Sequence, residues 1–239
     1  MKLRLLAISA ALALAAQLPA ANAATMQLNS WTWGNGNSVN ASTPAYNGAS
    51  GGFTGTLSGG TGFDGAIDTY CVELTEHFSF GGSYSDYKLV NASSYFTASR
   101  ATVLGKLISY VFGNNLFATT AAGSKDDLST ALQLAIWNTV YDTDTTLSSG
   151  AFVDSSVYKD GNANFAGANG LLAASQVASQ AITYNLYVLQ SLGNPGHQDQ
   201  LIWVPTRGST DRTHVPEPAS LALALLALGA AGAAKRRKA

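Results

Sequence analysis

The stretch STALQLAIWNTVYD, Ser129 to Asp142, decides how this chain is read. Leu132, Ala135, Ile136 and Val140, with Leu128 just ahead, recur at the spacing of one face of an α-helix. The polar Gln133 interrupts this apolar run two turns in, and Trp137 follows one turn further along the same face. A buried amide left without partners costs about 1–3 kcal/mol. Gln133 therefore faces water or a neighbouring loop, or it has a specific partner elsewhere in the chain. Ser124 with Asp127 three residues later predicts a capping-box start, and Asp126 and Asp127 suit the positive end of the helix.

Outward from this helix the period changes. Upstream, TASRATVLGKLISYVFGNN (97–115) predicts a helix with Val103, Leu107, Tyr110 and Val111 on one stripe and Gly105 as a weak spot. Downstream, GLLAASQVASQAITYNLYVLQSLG (170–193) predicts a third helix. Leu171, Ala174, Val177, Ala178, Ala181 and Leu189 would face inward, with Gly193 as its C-cap. DQLIWVP (199–205) returns to strand.

The first half reads as strands and turns. MQLNSWTW (26–33) alternates towards Trp31 and Trp33, and NGNSVN (35–40) has turn chemistry. The glycine-rich 47–65 forms a hairpin or a mobile loop, with Phe53 and Leu57 inward. AIDTYCVELTEHFSF (66–80) and SDYKLV (85–90), joined by the turn GGSY, predict neighbouring antiparallel strands. The fold class is thus α+β: N-terminal antiparallel strands, sandwich- or barrel-like, packed with about three C-terminal helices.

The two ends carry different information. Lys2 and Arg4 precede an apolar run from Leu5 to Ala16, and Ala21-Asn22-Ala23 follows. That order predicts a secretory signal peptide over 1–23, cut after Ala23 or, one residue later, after Ala24. At the far end Val215-Pro216-Glu217-Pro218 precedes an uncharged span, 219–234, and the basic run Lys235, Arg236, Arg237 and Lys238. The span is short but sufficient for a transmembrane helix, with its basic flank on the cytoplasmic side. This arrangement strongly resembles the PEP-CTERM sorting signal of Gram-negative bacteria. The resemblance implies recognition and processing by an exosortase, a membrane anchor before processing, and release to a surface or exopolysaccharide-rich biofilm matrix.

The predicted layout is a signal peptide (1–23), an ectodomain (24–205), a polar linker (206–214) and the sorting signal (215–239). Of 13 basic residues, Lys2, Arg4 and the last four are expected to leave on processing after about Pro218, so the processed chain holds 7 against 14 acidic ones, a net charge near −7. Such a surface excludes nucleic acid as a partner.

Chemistry-bearing residues are few. Cys71 is the only cysteine, so no disulfide forms within the chain. An exported lone thiol is either buried and inert or chemically used. His77, His197 and His214 lack metal-ligand spacing. The acidic runs at 142–146 and 160–164 lack the glycine and glutamate of an EF-hand and read as Asx turns. Asp68, Glu73 and Glu76, close to Cys71, read as solvated strand residues. No base stands near a nucleophile in a recognisable constellation, so no catalytic residues, metal or cofactor are expected, and the chain is not expected to be an enzyme.

LQLAIW (132–137) and TYCVEL (69–74) together resemble the two motifs of the bacterial thioester domains found in surface adhesins. The resemblance spans roughly residues 65 to 205: strands carrying the Cys, then helices carrying the Gln. Leu132 stands where that family often has Thr. It implies an internal thioester between Cys71 and Gln133, formed with loss of ammonia, in a dry pocket walled by Tyr70 and Trp137. Such a bond would attach the protein to an amine or hydroxyl on a surface, giving covalent adhesion. The alternative is a non-reactive structural or binding component of the exopolysaccharide matrix. On the sequence alone, Cys71→Ala and Gln133→Ala are expected to disturb the fold little, as small deletions at one site.

Overall fold

The computed structural model of the protein describes residues 23–59, 61–155 and 167–206. The signal peptide up to residue 22, the acidic run at 160–164, the linker beyond Thr206 and the sorting signal lie outside the described residues. Among the described residues no helix is long and apolar enough to cross a membrane.

The fold is mixed α+β, with antiparallel strands. Six strands close a barrel: β1 (Ala24–Trp31), β4 (Phe53–Ser58), β5 (Gly65–Cys71), β9 (Gln200–Pro205), β8 (Tyr184–Ser191) and β6 (Ser83–Asn91), which returns to β1. Strands β2 (Asn37–Thr43), β3 (Ala45–Ser50) and β7 (Val153–Asp154) form a separate sheet in the order β3-β2-β7. Closure removes exposed edges, the chief hazard of an antiparallel sheet. Alternation along β1 puts Ala24, Met26 and Leu28 in the core, while β4 contributes Phe53 and Leu57. At the β1–β4 contact the backbones approach so closely that a Cβ on Gly55 would sit 2.1 Å from the Gln27 carbonyl oxygen.

Among the described residues, three helices of ten residues or more accompany the sheets: α2 (Ala98–Gly113), α4 (Lys125–Tyr141) and α5 (Gly167–Gln176). Single-turn helices α1 (Ala92–Tyr95) and α3 (Leu116–Thr119) flank α2. Helix α2 packs on α4, α5 and β8, and α4 reaches β2, β3 and β5. Every residue of α4 from Leu128 to Thr139 is buried, so its core surface runs all round rather than along one stripe. It is the central element, and its polar residues must find partners inside the protein.

Several expectations from the sequence are corrected. Strands β5 and β6 are not neighbours: β5 pairs with β4 and β9, β6 with β1 and β8, because barrel closure brings in the two C-terminal strands. The third helix stops at Gln176; Val177, Ala178 and Ala181 are exposed, and Leu189 lies on β8. Residues 184–191 alternate inward and outward at a period of two, and their Tyr, Leu and Val side chains suit a pleated surface. Gly193 follows a strand, not a helix, and its N–H donates to Asp86. Most of the segment 35–40, expected as a turn, belongs to β2. Ser124 makes no side-chain cap, and the Asp127 N–H instead meets the carboxylate of Asp126.

Candidate functional site

Residues four apart stack along one face of a helix, and on α4 the series Ser129, Gln133, Trp137 and Tyr141 does so beside the end of β5. Tyr70 and Ser129 meet hydroxyl to hydroxyl at 3.2 Å. Gln133 faces Cys71, and the Leu74 N–H donates to the Tyr141 hydroxyl at 3.0 Å. Ser129 also accepts from the Gly52 N–H at 2.8 Å, while Thr130 donates to the Ser50 carbonyl at 2.7 Å. This polar ridge stitches α4 to the β5 end and to the 50–52 segment. A Cβ on Gly52 would come within 2.7 Å of the Tyr70 ring, which explains a glycine at that crossing.

The structure brings Cys71 and Gln133 together across 62 residues of sequence. Gln133 Oε1 accepts from the Cys71 N–H at 2.9 Å, and Gln133 Nε2 donates to the Cys71 carbonyl at 2.7 Å. Both residues are almost fully buried, at 2% and 1% exposure. The two-point grip fixes the carboxamide plane against the residue that carries the thiol. Cys71 pairs with Gln200 across the β5–β9 ladder, and Gln200 Nε2 lies 3.5 Å from the sulfur as its hydrogen-bond donor. Burial pushes the Cys71 thiol well above its ordinary range, partly offset by that donor, so the sulfur is held as a neutral thiol.

A cavity of about 210 Å³ opens beside this pair. Trp137 lines it, as the sequence suggested; Tyr70 does not, and packs instead against Trp203 and Ser129. The facing wall is Tyr46, whose ring centroid lies 5.2 Å from that of Trp137 in an edge-to-face contact. Trp31, Phe53, Phe78 and Phe80 continue the aromatic lining, with Trp31–Phe53 centroids 4.7 Å apart and Phe53–Phe78 4.8 Å apart. Gln198 and the exposed His77 complete the polar part of the rim.

Gln200, Gln198 and Tyr46 were not singled out from the sequence. The signal for the first two was present: three consecutive polar residues, Gln198 to Gln200, stand directly before an apolar strand, and all three are buried. Tyr46 had no signal, since its strand was unrecognised.

Glu73, Glu76 and Asp199 form a cluster whose carboxylate oxygens lie within 4.8 Å of one another. Within it the Asp199 N–H donates to Glu73 at 2.8 Å, and Gln198, which lines the cavity, donates to the Glu73 carbonyl at 2.8 Å. Burial, aided by the neighbouring carboxylates, raises Glu73 to about 7 and also raises Asp199. Glu73, expected from the sequence as a solvated strand residue, is thus half-buried beyond the end of β5 and held by the Asp199 N–H.

Residue Ala24, beside the expected signal-peptide cut, opens β1 and is fully buried. Thr206 is still held by the barrel through its N–H to the Thr183 carbonyl, one residue beyond the expected end of the ectodomain.

Residues 214–238 match the PEP-CTERM protein-sorting motif. No curated protein and no solved structure matches the chain. The motif is the recognition signal for an exosortase, and it implies export with membrane anchoring before processing.

Proposed function

We propose that the ectodomain is a covalent attachment module, not an enzyme: Cys71 and Gln133 form an internal thioester that captures one amine or hydroxyl on a cell surface or in the extracellular matrix. The observation that carries this reading is the reciprocal pair of hydrogen bonds between the Gln133 carboxamide and the main chain of Cys71, in a buried site with an aromatic cavity beside it. Preset contact of this kind can lower the barrier to attack on an unreactive amide by several kcal/mol, on the order of 7 or more for well-oriented groups. In the forming step the sulfur adds to the Gln133 side-chain carbonyl carbon, the C–N bond breaks, and the thiol proton leaves with the nitrogen as ammonia. The burial that keeps the thiol neutral also disfavours a departing thiolate, so water attacks the product slowly. Gln200, donating to the sulfur, is positioned to ease its departure when an acceptor enters.

Methylamine tests the reading. Added to the folded protein, it should release one thiol and leave a methylamide at Gln133, whereas Cys71→Ala should take up none. A wild-type protein whose thiol titrates fully on unfolding, before any amine is added, contradicts the bond.

A second reading has one observation in its favour. Gln133 already has a donor and an acceptor satisfied by Cys71, as a purely structural buried glutamine would. On that reading the protein is a non-reactive structural or binding component of the matrix.

A further inference from the structure

The cavity beside Cys71 and Gln133 has a wall of unusual chemistry. Four of its aromatic rings, Trp31, Phe53, Phe78 and Phe80, form a continuous series of contacts, and Phe80 is 43% exposed. Among the described residues, no aspartate, glutamate, lysine or arginine lines it. Two further lining residues, Ser50 and Trp137, are each at least 98% buried, and Ser50 Oγ and Trp137 Nε1 have no hydrogen-bond partner among the described residues. A lysine ammonium entering here would lose its hydration without meeting a carboxylate. A neutral body with apolar C–H faces and many hydroxyls meets no such penalty: rings take its faces, and polar wall groups take its hydroxyls.

We infer that the cavity is a saccharide site, and that the acceptor captured at Gln133 is a sugar hydroxyl. This rests on the thioester reading above. The hydroxyl oxygen adds to the Gln133 acyl carbon, the C–S bond breaks, and the hydroxyl proton ends on the Cys71 sulfur. The product is a carboxylate ester and a free thiol.

The test uses the protein purified after export. Saturation-transfer NMR of Cys71→Ala with maltohexaose and with cellohexaose reads occupancy where no bond can form. Intact mass of the wild type after incubation with the same oligosaccharides, with methylamine, and with Nα-acetyl-lysine reads capture. Saccharide contacts on Cys71→Ala are expected, with a wild-type adduct of full saccharide mass that hydroxylamine removes. In Phe80→Ala the ratio of saccharide to methylamine capture should fall roughly tenfold, the factor set by about 1.4 kcal/mol of ring contact. Absence of contact with either oligosaccharide on Cys71→Ala overturns the saccharide site. Contact without an ester, in a wild type that reacts with methylamine or the lysine derivative, overturns the hydroxyl acceptor. Failure of methylamine capture overturns the thioester instead, and the saccharide site then stands or falls on the Cys71→Ala contacts alone.

Discussion

Gln133 has two duties that pull its substitutions apart. Its amide is the proposed electrophile, and it is also the partner of both main-chain polar groups of Cys71. Removing it leaves a buried N–H and a buried carbonyl without partners, each costing about 1–3 kcal/mol. The structure therefore corrects the expectation that Gln133→Ala is a mild change. In a background where the bond cannot form, Gln133→Ala should lower the unfolding free energy by about 2–6 kcal/mol. There the comparison is Cys71→Ala alone against the double variant, read by urea denaturation. A double variant as stable as Cys71→Ala would mean that the two hydrogen bonds contribute nothing. Glutamate at 133 keeps the acceptor but presents an oxygen to the Cys71 carbonyl where an N–H donor stood. It should abolish capture and also cost stability at neutral pH.

The seam between β5 and β9 is where pH should act on the fold. Glu73 is raised to about 7 by burial first and by its carboxylate neighbours second, against an ordinary value of 4.5. The folded protein thus binds this proton more tightly than the unfolded chain does. Its contribution to stability is fully present below about pH 4.5 and is lost as pH rises towards 7. Glu73→Gln keeps a carbonyl oxygen for the Asp199 N–H and removes the titration. It should raise Tm at pH 8 and change it little at pH 4; an equal shift at both pH values would separate Glu73 from the pH dependence.

How much of each element was legible in the sequence follows from its periodicity. Helix α4, strand β1 and the first part of the expected strand 66–80 were readable because apolar spacing and turn residues mark them; that strand ends at Cys71, and 72–80 leave the sheet. The α5–β8 boundary was not, because Ala, Val and Leu continue at helical spacing through 177–189 with no glycine or proline to stop them. The meeting of Cys71 with Gln133 was legible through two short motifs and a lone cysteine. The cavity's far wall was not, since Tyr46 lies on a strand whose sequence, AYNGAS, looks like a turn. Gln200 was hidden because its role comes from barrel closure, which no local pattern reports.

At the scale of the whole molecule, a barrel packed with a central buried helix is followed by a sorting motif at 214–238. Its processed form should begin at Ala24 and end near Pro218, and terminal sequencing of protein recovered from the medium checks this. Cleavage after Ala24 would remove a fully buried strand residue, so the cut after Ala23 is the one the barrel favours. Retention of residues 219–239 in the recovered protein would contradict processing by an exosortase. The central claim is the bond between strand and helix, and the intact mass of freshly purified, processed protein tests it most directly. The account predicts a mass below that of the sequence by one ammonia, a deficit absent from both Cys71→Ala and Gln133→Ala. A wild-type mass equal to the full sequence mass, with Cys71 reactive to alkylation once unfolded, would contradict it.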